Sequence, residues 1–205
     1  MSRYNDGSRV GSIYASGKES ELRESESSIV SESIFSSKPR RCLENSWING
    51  AGKTTLLRIL AGLYQEFEGD VKWSLENYPL YIGHRFGVKA LMSARENLSW
   101  AATINGQEVK LTEIDYALCQ VSLEGYADVL CGAMSEGQRG RVGLARLFLL
   151  DNPVWILDEP FNAIDSAGIQ CVVERIEKHL SSDGILVFSS HLDIPLKNVQ
   201  ELELH

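Results

Sequence analysis

Two apolar runs, Val154-Trp155-Ile156-Leu157 and Ile185-Leu186-Val187-Phe188, set the first limit on what this chain can become. Neither alternates with polar residues, so a strand made from either is apolar on both faces and has to be covered on both. Helices are the available cover. Helical periodicity runs over Lys53 to Leu63, Ala94 to Ile104, Thr112 to Val121 with Thr112 as N-cap, Glu136 to Leu150 and Ala167 to Leu180. Buried strands are expected over Val154 to Leu157 and Ile185 to Ser189, and shorter ones over Val71 to Trp73 and Leu80 to Ile82. Strands that alternate with helices predict an α/β fold, a mainly parallel sheet with flanking helices. A chain of 205 residues, 43% hydrophobic and 23% charged, has enough apolar material for one such domain and a tail.

The tail is expected at the amino end. Residues 1–46 are rich in Ser and Glu, with few apolar positions and no sustained period, and read as a disordered or foreign segment ahead of a domain over 47–205. A net charge of −8 leaves no clustered basic surface, which argues against nucleic acid as a partner. The apolar runs are far below the roughly 20 residues that span a bilayer, so any membrane span belongs to another chain. Cys42, Cys119, Cys131 and Cys171 are scattered without metal-ligand spacing, and the amino end lacks the apolar stretch of a secretory signal. Reduced thiols and a cytoplasmic location are the expectation.

Asn49-Gly50-Ala51-Gly52-Lys53-Thr54-Thr55 leads into a helical pattern and matches the second half of a phosphate-binding loop. Glycines let backbone N–H groups close around phosphate oxygens at a helix start; the Lys reaches the β/γ-phosphates and the first Thr hydroxyl binds Mg²⁺. Asn49, Gly50, Ala51, Gly52, Lys53, Thr54 and Thr55 are therefore candidate ATP-binding residues, although a plain glycine turn before a helix reads the same way. The strand ending in Asp158-Glu159 supplies the complementary chemistry. A buried parallel strand delivers Asp158 to the sheet's carboxyl edge, where it can hold Mg²⁺ with Thr54, and puts Glu159 within reach of an attacking water. Alone, an acidic pair after a strand is also compatible with a solvated turn; the phosphate-loop sequence favours the catalytic reading.

Met134-Ser135-Glu136-Gly137-Gln138, opening a helix before the acidic strand end, resembles the signature of the ABC ATPases. The resemblance implies a P-loop NTPase fold with a helical signature subdomain, and a head-to-tail dimer in which Ser135, Gly137 and Gln138 meet ATP held by the second ATPase subunit. Ser135 as a helix N-cap is compatible with that role. Asn162-Ala163-Ile164-Asp165 resembles the D-loop, giving Asp165 a place at the partner's site, and His191 follows its strand as the switch histidine does. Counting back from Arg95-Glu96-Asn97-Leu98, His84 stands where the family has the Q-loop glutamine. In this resemblance Glu159 and His191 are catalytic, and Thr54 and Asp158 hold the metal.

Ile82-Gly83-His84, Gly87-Val88-Lys89, Glu96-Asn97-Leu98, Trp155 to Phe161 and Ala163-Ile164-Asp165 together resemble the ATP-binding subunits of the cytochrome c maturation system, the CcmA family. That implies ATP hydrolysis powering haem export or release of a haem-carrying chaperone, a CcmB-like membrane-spanning partner, and a peripheral place on the cytoplasmic face of the inner membrane. The sequence departs from the family at Trp47, where a complete phosphate loop has its first glycine, and no strand is evident ahead of the loop in residues 1–46. Other readings stay open: an ABC ATPase of another transporter, a soluble ABC ATPase, or a truncated chain impaired in ATP binding.

Overall fold

The computed structural model describes residues 12–15, 33–36, 41–45, 53–67, 71, 78–192, 196 and 199–201. The strands are β1 (Ser12–Ala15), β2 (Ser33–Ser36), β3 (Arg41–Asn45), β4 (Leu80–Ile82), β5 (Val154–Asp158), β6 (Ile185–Ser189) and β7 (Val199–Glu201). The helices are α1 (Lys53–Leu60), α2 (Ala94–Ile104), α3 (Leu111–Gln120), α4 (Glu136–Leu149) and α5 (Ser166–Ser181). Five strands form one sheet in the order β4-β5-β6-β3-β7, with every neighbouring pair parallel. β1 and β2 pair antiparallel by themselves.

The period of two in a strand explains how the sheet is covered. On β5, Val154 and Ile156 face a small core built from Leu56, Leu57, Leu60 and Ala61 of the α1 region, joined by Val187 of β6. Trp155 and Leu157 face the other way, into a larger core with Leu186 and Phe188 and the apolar sides of α2, α3, α4 and α5. All five residues of β5 are buried, as a central parallel strand requires. The α/β expectation, a parallel sheet flanked by helices, is what the chain adopts. α2, α3 and α4 form a helical layer of their own beside the sheet.

The first two differences from the sequence reading have local causes, and the third comes from long-range pairing. α1 ends at Leu60 and not Leu63, because Gly62 turns left-handed (φ 72°) and the helix closes with Gly62 N–H on Ile59 C=O (2.9 Å) and Leu63 N–H on Arg58 C=O (2.8 Å). α3 starts at Leu111, one residue before the expected Thr112 cap; Glu113 reaches back to the Lys110 N–H at 2.6 Å and fixes the earlier start. Upstream, no strand was expected before the loop, yet β3 lies in the main sheet between β6 and β7 and β1 pairs with β2, so the sheet extends past the boundary placed at 46/47. Lys72 and Trp73 of the strand expected over Val71 to Trp73 lie outside the described residues, and Val71 itself has no regular structure.

Candidate functional site

β5 and β6 end side by side, and their last residues carry the site. Asp158 pairs in register with Ser189, and Ser189 with Asn45 of β3, so three strand ends lie level, about 4.8 Å apart from one to the next. Asp158 is 2% exposed. Its Oδ1 accepts a hydrogen bond from the Ser189 hydroxyl at 2.8 Å, while its Oδ2 is buried without a hydrogen-bond partner among the described residues. A buried carboxylate oxygen left unsatisfied costs about 1–3 kcal/mol or more, and a cation repays that cost.

Glu159 follows in the left-handed region (φ 53°, ψ 50°), a conformation that costs a residue with a Cβ about 1–2 kcal/mol. Ser189 holds it there: the Glu159 N–H is shared between the Ser189 carbonyl (3.1 Å) and the Ser189 hydroxyl oxygen (3.2 Å). The turn swings the Glu159 side chain to His191, whose Nε2 lies 3.1 Å from Oε1 and whose backbone N–H donates to Oε2 at 3.3 Å. The carboxylate is mostly covered (side chain 14% exposed) and the imidazole half open (50%), so the pair reaches solvent through the ring.

Lys53 and Thr54 open α1, which packs on β5 and β6 through Leu56, Leu57 and Leu60; Thr54 is exposed. Asn49, Gly50, Ala51 and Gly52, and Trp47 with them, lie outside the described residues. Thr55 is partly buried at the same helix start. The donor set suits a divalent cation, since hydroxyl and carboxylate oxygens are its preferred partners and Asp158 Oδ2 has no hydrogen-bond partner among the described residues.

Ser135, Gly137 and Gln138 lie at the start of α4, in the helical layer. Ser135 Oγ accepts from Gln138 N–H (3.2 Å) and Gln138 Oε1 accepts from Ser135 N–H (2.9 Å), a complete capping box. Glu136 is exposed on the first turn. Asp165 is exposed and caps α5 by accepting from Gly168 N–H at 2.9 Å. His84 is exposed in the turn after β4. The strand ends therefore bring Asp158, Glu159 and His191 together, whereas the polar groups of Ser135, Gln138 and Asp165 are engaged within their own helix starts.

Two residues were not anticipated. Ser189 touches both acidic residues, but as one of two serines after an apolar run nothing in the sequence sets it apart; its register opposite Asp158 comes only from pairing. Tyr81 of β4 is the other: burial first, then the negative charge of Asp158, push its phenol up to about 12, with Arg58 opposing. Its hydroxyl lies over Gly83, where an added Cβ would come within 2.6 Å, so the glycine next to His84 is what admits the ring.

The ABC transporter family matches residues 48–162, more than half of the chain. A cytochrome c biogenesis ATP-binding export protein CcmA of Saccharophagus degradans is 41% identical over 175 residues, covering 77% of this chain and 78% of the relative. The protein of the same name from Methylococcus capsulatus is 42% identical, covering 75% and 79%. The chain belongs to the ABC transporter family, within its CcmA group. Solved ABC cassettes share the fold at low identity. An ABC transporter ATP-binding protein of Pyrococcus furiosus aligns with a TM-score of 0.74 at 22% identity over 93% of this chain and 97% of its own. A cassette solved as a dimer in a post-hydrolysis state with ADP and Pi aligns with a TM-score of 0.73 at 19% identity over 95% and 92%. Among the described residues no helix is long and apolar enough to cross a membrane, so this ABC family member is a cassette without a span in that set.

Proposed function

We propose that this chain is the ATP-hydrolysing subunit of a transporter that serves haem export, or release of a haem-carrying chaperone, in cytochrome c biogenesis. Membership of the ABC transporter family and the names borne by its relatives support that assignment. The observation that carries the chemistry is the strand-end cluster: a general-base carboxylate, Glu159, held by His191 beside a buried Asp158 oxygen that has no hydrogen-bond partner among the described residues. Lys53 and the backbone amides of the phosphate-binding sequence Asn49 to Thr55 bear phosphate charge. Mg²⁺, when bound, supplies neutralisation of the phosphates, and Thr54 with Asp158 would hold it.

Glu159 accepts a proton from the water that attacks the terminal phosphorus of ATP; the bond to ADP breaks and phosphate leaves. His191 keeps the Glu159 carboxylate aimed and offers its half-open ring to the phosphate side. Ser135, Gly137 and Gln138 present a helix start to ATP held by a second copy in a head-to-tail dimer, with Asp165 positioning the opposite site. His84 and the turn that carries it face the membrane-spanning, CcmB-like partner. The complex sits on the cytoplasmic face of the inner membrane.

Replacing the base tests this. Glu159→Gln keeps shape and removes proton acceptance, so phosphate release should fall by about 10²–10⁴-fold. Light scattering in Mg-ATP should at the same time show a longer-lived dimer. Unchanged phosphate release would remove Glu159 from the role of base.

A further inference from the structure

Arg146 is a largely buried cation that the proposed chemistry does not use. On α4 it lies about 16 Å from Ser135, at 1.5 Å per residue. Its Nε donates to the Gly143 carbonyl at 2.9 Å and its Nη2 donates to the Phe86 carbonyl. Among the described residues both acceptors are main-chain carbonyls, and no carboxylate pairs with it. Burial lowers its pKa to about 10, which leaves it charged at neutral pH. A buried guanidinium that spends its fork on backbone is fixing the position of that backbone.

The backbone it fixes is strained. Phe86 and Gly87 are both left-handed (φ 50° and 63°), and for a side chain as bulky as Phe this region is disfavoured. Phe86 N–H closes the turn onto Gly83 C=O at 2.7 Å, so His84 lies inside the same turn. Gly143 of α4 is the seat: an added Cβ there would come within 2.7 Å of Phe86 Cβ and 3.1 Å of Cδ1. Gly143 and Arg146, one helical turn apart, thus grip one residue of the His84 turn. Further on, the segment is tied to α2 by Asn97, which accepts from Lys89 N–H (2.8 Å) and donates to the carbonyls of Lys89, Met92 and Ser93.

We infer that Gly143 and Arg146 are positioning residues that join the His84 turn to α4, so that displacement of the turn moves the helix start at Ser135–Gly137. This rests on the proposed function for what the two ends meet, but the mechanical link stands on the contacts themselves. The link is rigid because α4 is a continuous helix packed on α2 and α3, and it is specific because a Lys at 146 keeps the charge but cannot fork onto two carbonyls.

Amide exchange on the full chain without nucleotide reads the link directly, in wild type, Phe86→Gly, Arg146→Lys and the double variant. Phe86→Gly softens the turn and should raise exchange at Gly137–Arg139 by about threefold or more, the scale of coupling between contacting residues, with no further rise when Arg146 is already Lys. Effects that stay within 86–89, that add independently, or that spread over β5 in step with lost stability would overturn the inference. If Arg146→Lys does not fold, Gly143→Ala takes its place in the cycle, since it displaces the seat and keeps the guanidinium. A second cycle, His84→Ala with Arg146→Lys in ATP turnover, should be non-additive by a similar factor; additive losses would overturn the inference. Absence of turnover in the wild-type chain counts against the proposed function, and the exchange cycle then decides the inference alone.

Discussion

The carboxyl ends of β5 and β6 and the amino end of α4 hold their polar groups in opposite conditions. At the strand ends, Asp158 Oδ2 is buried without a hydrogen-bond partner among the described residues and Glu159 is held in a left-handed conformation that its own preferences oppose. At the start of α4, Ser135 and Gln138 satisfy each other in a capping box and the first turn is open to solvent. The strained, unsatisfied end is set up to act on something brought to it, and the strain is maintained by the packed sheet beneath. The relaxed end presents a finished surface, which is compatible with its proposed role of meeting ATP held by a second copy. The comparison can be broken by removing what supports each end.

The largest effect should come from the core under the strand end. Trp155 of β5 is fully buried and stacks on His179 at 3.8 Å with the rings 2° from parallel, and the Arg175 guanidinium lies 4.8 Å from the Trp155 ring centre. Burial lowers the His179 pKa from 6.5 to about 4, with the nearby Arg175 charge adding to it and the contact to the Ile185 carbonyl opposing. The fold therefore favours neutral imidazole, and the unfolded chain binds the proton more readily. Stability from this group is complete above pH 6.5 and is lost as pH falls from 6.5 toward 4, by about 3 kcal/mol at about 1.4 kcal/mol per pKa unit. Thermal melts across that window should show the decline, and His179→Phe, which keeps a ring against Trp155 and cannot titrate, should flatten it. An unchanged pH slope in the variant would assign the acid sensitivity elsewhere.

Ser189→Ala ranks next. It removes the hydroxyl that donates to Asp158 Oδ1 and accepts from Glu159 N–H, leaving a buried carboxylate with one partner fewer. A loss of about 1–3 kcal/mol in aligning the two acidic groups corresponds to roughly 10- to 100-fold in turnover. A higher Mg²⁺ requirement should accompany it, because Asp158 loses the bond that sets its rotamer. Full activity at the wild-type Mg²⁺ requirement would show that β5 alone orients the pair.

How much of this was legible in the sequence follows from the range of the interactions. β4 (Leu80–Ile82), α2 (Ala94–Ile104) and β6 (Ile185–Ser189) coincide with the expected spans, because apolar runs and helical periodicity are local signals. The meeting of Asp158 and Glu159 with His191 was legible because each ends or follows a strand that could only lie in the sheet. Arg41–Asn45 was not legible as a strand: charged and apolar residues are mixed in it, and its place is assigned by pairing with β6 and β7, both remote in sequence. Ser189 was missed for the same reason, and Lys110 lost to Thr112 as the expected cap because Glu113 can reach back to an N–H that no cap preference predicts.

The smallest effect belongs to the start of α4. Ser135→Ala removes the oxygen that accepts from Gln138 N–H and leaves Gln138 Oε1 its bond from the backbone N–H of residue 135. An N-cap replaced by Ala costs about 1 kcal/mol, and at an exposed helix end water offsets part of that. For a chain of this size the melting temperature should drop by roughly 2–4 °C. The strand-end cluster shares no hydrogen bond with Ser135 among the described residues, so the amide exchange of Glu159 and His191 should stay at its wild-type rate beyond that small global shift. Turnover is the discriminating reading: if the relaxed helix start meets ATP on a second copy, Ser135→Ala lowers the rate more at low protein concentration than at high, because the missing contact is one between molecules. A loss of turnover that is independent of concentration would place the Ser135 hydroxyl in the same chain's own site and remove the distinction between the two ends.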